Sequence, residues 1–159
     1  MSRREVKEAL FSDMNVSAVL DLLGPVSSDN RRIYAGWPQQ QPKLTSHEPA
    51  EGWVTFHERE ATIPWGSIDE TFVFEVNIFA TRHSIGEDVL DVLDGKWHHK
   101  LAGHNGRVMG SDRNVVFSAR IMSYDMFESD EFTESGPKLH RKVAVYQFRT
   151  VRVPYNVGT

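Results

Sequence analysis

The chain has 159 residues and a formal net charge of −4, the size of one domain of roughly 100–200 residues with enough surface to bury a core. It contains no cysteine, which removes disulfides, thiolate metal sites and thiol nucleophiles together and suits a protein that matures in a reducing cytoplasm. The acidic balance argues against a general electrostatic grip on nucleic acid, and neither an apolar run of about eighteen residues nor an apolar signal core in the opening MSRREVKEAL is present, so neither membrane spanning nor secretion is expected.

Residues 3–11 read as a short helix, with Val6, Ala9 and Leu10 on one side and Arg3, Arg4, Lys7 and Glu8 on the other. Asp13 or Asn15 is placed to cap a second helix through Val16, Val19, Leu20, Leu22 and Leu23, which Gly24-Pro25 closes. Residues 27–32 form a polar linker, and Ile33-Tyr34 is a short apolar island suited to an edge strand. The stretch 35–52, broken by Gly and Pro, is expected to be a long irregular loop, and loops of that length are usually functional. Residues 53–58 alternate imperfectly as a strand running toward Ile63, and Pro64-Trp65-Gly66-Ser67 makes a turn.

The segment 71–80, TFVFEVNIFA, carries the clearest signal. Phe72, Phe74, Val76, Ile78 and Ala80 alternate with Thr71, Val73, Glu75, Asn77 and Phe79, the period of a strand with one face in the core. Ile85, Val89, Leu90, Val92, Leu93 and Trp97 then recur at helical spacing. Ser84 with Glu87 reads as a capping box, Asp91 and Asp94 fall on the wet side, and the helix is expected to stop near His98 or Lys100, before Gly103 and Gly106. Residues 115–124 form a strand with Val115, Phe117, Ala119 and Ile121 on one face. An acidic loop follows at 125–138, and 139–153 is a long strand ended by Pro154. The order predicts a single α+β domain over residues 1–159, an antiparallel β-sheet with helices packed on one face. The other face then carries Val73, Phe79, Val116 and Met122, an apolar set that marks a subunit interface and implies oligomerisation.

Candidate chemistry is sparse. His98, His99 and His104 form the only histidine cluster, but adjacent histidines on a helix diverge by about 100° and no HExxH or cysteine accompanies them, so a solvated helix end is the better reading. His47, His57, His83 and His140 are scattered. Ser17, Ser46, Ser118 and Ser123 lack a GxSxG setting, Asp88, Asp91 and Asp94 lie on a wet helix face, and the glycines at 103, 106 and 110 match no phosphate-binding loop. No catalytic residue, metal site or cofactor is expected. Of four tryptophans, Trp97 belongs in the core, while Trp37 and Trp65 in loops are candidate contact anchors.

The segments FSDMNVSAVLDLLG, RRIYAGWPQQQP and PAEGWVTFHE, followed by TFVFEVNIFA, IGEDVLDVLDGKW and NVVFSARIMSYDMF, resemble the order of elements in the tail-completion proteins of long-tailed phages, the family of tail terminators and tail-to-head joining proteins. The resemblance covers most of the chain. The loops at 35–52 and 125–138 are longer than the family pattern leads one to expect. The resemblance implies a virion protein assembled in the host cytoplasm. Six copies would form a ring at the head-proximal end of the tail tube, end its growth, meet the tail tube protein and the head connector, and let DNA pass without specific binding. Glu128, Asp130, Glu131 and Glu134 in the acidic loop would then face the lumen and repel phosphate. Other readings are another neck (head-closure) component, a binding module whose sheet forms a cup lined by Trp65, Phe74 and Trp97, and a metal-dependent hydrolase on His98, His99 and His104.

Overall fold

The apolar row of Phe72, Phe74, Val76, Ile78 and Ala80 is buried throughout, at the middle of a seven-stranded sheet. The computed structural model describes residues 3–24, 31–38, 51–62, 69–101, 107–108, 113–127 and 139–152. In chain order the elements are α1 (Arg3–Met14), α2 (Ser17–Leu23), β1 (Ile33–Ala35), β2 (Gly52–Thr62), β3 (Asp69–Ala80), α3 (His83–Trp97), β4 (Lys100–Leu101), β5 (Arg107–Val108), β6 (Arg113–Phe127) and β7 (His140–Arg152). The strands lie in the order β1-β2-β3-β7-β6-β4, with β5 also on β6. Every pair is antiparallel except β1, which runs parallel to β2. The domain is α+β, as the pattern of elements predicts.

One face of the sheet receives all three helices. Val6, Leu10 and Met14 of α1, Val19 and Leu23 of α2, and Ile85, Val89, Leu90, Leu93 and Trp97 of α3 form a single core with Val54, Phe56, the β3 row, Ala144, Tyr146 and Phe148. Each large apolar side chain so buried contributes roughly 1.5–3 kcal/mol relative to exposure. The rings of Trp97, Tyr146 and Phe148 meet edge to face, and the Trp97 indole donates to Asp13 at 3.0 Å.

The helix starts differ from the sequence expectation. Asp13 lies inside α1, and Val16 precedes α2 without a side-chain cap. Arg82, not Ser84, stands at the start of α3, again without a side-chain cap, and Glu87 bonds Lys142 instead of closing a capping box. Tertiary packing of the apolar stripe therefore sets these boundaries, as it does for most helices in proteins. The stop at Trp97 agrees with expectation, and His99, at φ 52°, turns the chain into β4.

Two bulges in β6 break the expected face. Val116 and Ile121 are extra residues against β7, so Val115 faces the helices while Phe117 and Ala119 point the other way and Ile121 leaves the alternation. Arg32, expected in a polar linker, is buried: its guanidinium reaches the Gly52 carbonyl at 3.3 Å and stands 3.7 Å from the buried Glu51 carboxylate.

Candidate functional site

The helix-free face is divided. Phe79 stacks flat on Trp53 with ring centroids 4.1 Å apart, Trp37 meets Phe79 edge-on, and the Arg141 guanidinium lies over both Trp37 and Phe79. Arg141 also donates to Asn77 Oδ1 at 2.7 and 2.9 Å, and the Asn77 amide donates to Glu75. Val73, Phe79, Val143 and Val145 are buried beneath this face. Val73 and Phe79, expected as subunit-interface residues, are buried within the chain, and the aromatic stack over Phe79 removes the exposure that the expectation required of it. Val116 is half-buried in its bulge.

The margin formed by β6 behaves differently. β4 and β5 pair with β6 only at residues 114–118, and the His98 imidazole accepts the Arg120 backbone N–H at 2.9 Å. Beyond this point, residues 121–127 have no outer strand among the described residues. Ile121, Met122, Ser123, Tyr124, Asp125 and Met126 are all exposed, at 52, 47 and 42% for Ile121, Met122 and Tyr124 and 41% for Met126. Of their partners on β7, residues 142–145 are buried and Arg141, opposite Met126, is half-buried. An apolar strand edge of this length with no lysine or proline is a template for pairing with another chain. Met122, expected at an interface, lies on it, and Trp37, 55% exposed, stands on the same face across Arg141.

A charged latch holds this strip against the helix layer. The buried Lys142 ammonium hydrogen-bonds Glu87 of α3 and, at 3.2 Å, Asp125 of β6. His83 approaches Asp125 at 3.5 Å and Glu87 at 3.6 Å. Burial works against charge on Asp125, but the bonds from Lys142 and His83 outweigh it and hold the carboxyl below its usual range. For Lys142 burial is likewise overcome, here by Glu87 and Asp125, and its pKa is raised. His83, Glu87 and Asp125 have ligand atoms within 4.8 Å of one another, a spacing that could hold a metal ion. The Lys142 ammonium already bridges the two carboxylates, so the constellation acts as an internal salt link.

The alternative metal site on His98, His99 and His104 falls partly outside the described residues. His98 is turned to the Arg120 backbone, and burial and the adjacent His99 hold its pKa down; His104 lies outside the described residues. Trp97 lies in the core as expected, and Phe74, offered with it as the lining of a cup in the alternative reading, is packed there too. Trp65, Glu128, Asp130, Glu131 and Glu134 lie outside the described residues. Periodicity places Ile121 with Val115, Phe117 and Ala119 and does not single out Tyr124 or Met126, because the bulge at Ile121 is silent in the sequence and an acidic loop is expected from residue 125. No family model and no curated protein matches the chain.

Proposed function

We propose that the protein is a structural subunit of a phage or prophage tail whose copies join into a ring at the head-proximal end of the tail tube, ending tube growth and linking the tail to the head connector. The observation that carries this reading is the strip of β6 without an outer strand among the described residues, where six consecutive residues are exposed beside the buried residues 142–145 of β7. An edge of that kind in a stable protein is either blunted or used, and here only Ser123, Asp125 and the bulge at Ile121 interrupt an apolar run without lysine or proline. The order of elements supports the choice of assembly, since two helices, a short edge strand, two long strands, a helix and a closing pair follow the tail-completion pattern. No reaction belongs to this role. The tail tube protein and the connector are its partners, and genomic DNA passes through the ring without specific contacts.

The native mass of the purified chain, measured by sedimentation over a wide concentration range and again with purified tail tubes, tests the reading. A hexamer, or a monomer that closes into a cap on one tube end, is expected. A chain that stays monomeric and leaves tube ends free overturns it.

A further inference from the structure

The sheet has a second open margin. β1 covers β2 only at Val54, Thr55 and Phe56, so residues 57–62 of β2 have no outer strand among the described residues. Successive antiparallel pairings of β2, β3, β7 and β6 make β2 and β6 run in opposite directions. A second copy continuing the sheet would therefore set its β2 antiparallel against β6. We infer that the subunit joint of the ring is this edge pairing, residues 121–127 of one copy with residues 57–62 of the next; the inference rests on the ring reading above.

The cross-sheet rows set the geometry of the joint. Tyr124 lies opposite Val143, Val143 opposite Asn77 and Asn77 opposite Thr55. The middle of the free β6 strip is thus level with a part of β2 that β1 occupies. At the other end of the sheet, Thr62 is level with Phe117, which β4 occupies. The covered corners are diagonal, and so are the open ones. Bringing the two open strips together slides each copy along the strands by about four to five residues, ~16 Å at the rise of a strand. Four strands per copy span ~19 Å across the sheet. The ratio corresponds to a strand tilt of about 40°, within the roughly 35–45° at which sheets close into barrels. The same stagger that lets the edges meet therefore directs the copies toward closure, and β1 with β4 and β5 block the unshifted register. The two surfaces are different patches of the chain, as a head-to-tail ring requires.

The chain has no cysteine, so introduced thiols report the joint directly. Tyr124→Cys and Glu60→Cys put one thiol on each strip, at positions paired in register with Val143 and Val73. A bifunctional thiol reagent of short span is expected to link copies of the double variant into a ladder ending at the ring size, and to leave Tyr124→Cys alone uncrosslinked. Ile121→Lys is expected to raise the concentration for half-assembly at least tenfold with an unchanged melting curve. Cross-linking of Tyr124→Cys alone, which means two β6 edges meeting across a two-fold, overturns the joint. So does a ring by native mass whose double variant fails to cross-link, an outcome that leaves the ring reading standing. Open filaments overturn the closure, and a monomer that never caps tubes overturns the ring reading itself.

Discussion

The Tyr146 hydroxyl donates to Asp94 Oδ1 at 2.7 Å, and Arg120 reaches the second oxygen of the same carboxylate at 3.1 Å. One side chain of α3 thereby ties β7 and β6 to the helix layer. Asp94, expected on the wet side of the helix, is half-buried where it meets Tyr146 and Arg120. Burial, with Asp94 beside it, drives the Tyr146 pKa well above its usual value and keeps the phenol a donor at any working pH. Tyr146→Phe should cost about 1 kcal/mol, and Asp94→Ala about 2 kcal/mol because it leaves a buried hydroxyl without an acceptor. Urea unfolding of both singles and the double variant checks this. The double should cost less than the sum, and strict additivity would mean that the bond contributes nothing.

Gly24 ends α2 at φ 102° and ψ −176°, a region that side-chain-bearing residues reach only at about 1–3 kcal/mol. A Cβ there would meet the Arg32 guanidinium and the Glu51 side chain at 3.4 Å, an ordinary van der Waals contact, so the backbone conformation alone carries the cost. Gly24→Ala should therefore lower the unfolding free energy by about 2 kcal/mol. Gly52→Ala should cost more, since its Cβ would sit 2.7 Å from the Phe79 carbonyl. Thermal melts order the pair, and a Gly52→Ala variant as stable as the parent would refute the close approach.

The strand at 71–80 and the apolar stripe of α3 were legible because period two and period 3.6 are properties of local sequence. The Ile33-Tyr34 island was legible as two apolar residues between polar stretches, and the single helix-bearing face from the order of elements. Arg32 was not: a charged residue among polar neighbours carries no sign that Glu51, distant in sequence, will meet it in the interior. The bulges at Val116 and Ile121 were hidden as well, since an extra residue in one strand shows only against the register of its partner. That lost register inverted the faces of Phe117 and Ala119 and concealed the open strip of β6. The burial of Phe79 depended on Trp53 and Trp37, which only the fold brings to it.

Thr55 is fully buried opposite Asn77, and its hydroxyl has no hydrogen-bond partner. An unpaired buried hydroxyl costs about 1–3 kcal/mol, while a methyl in the same volume gains from burial. Thr55→Val should raise the unfolding free energy by about 1 kcal/mol. A loss of stability on this change would mean that the hydroxyl is paired in solution.

The latch at the β6 strip sets a pH signature. The Asp125 carboxyl is held below its unfolded value by Lys142 and His83 against the opposing effect of burial, so its stabilising share is present above the unfolded pKa, about 3.9, and is lost as pH falls through the lower folded value. Lys142 is shifted upward by Glu87 and Asp125; its share is present below about pH 10.4 and disappears only as pH rises through the still higher folded value. Stability should therefore keep this contribution across the neutral range and shed it at both extremes. Asp125 is about half exposed, so its effect is small and falls with salt. Asp125→Asn should flatten the acid limb between about pH 5 and 2 at low ionic strength and change the neutral melting temperature little. Lys142→Met should act more strongly, because it leaves the Glu87 and Asp125 carboxylates facing each other without the ammonium between them. Melting curves from pH 2 to 10 for the parent and both variants decide it, and an acid limb unchanged in Asp125→Asn would show that the latch does not form.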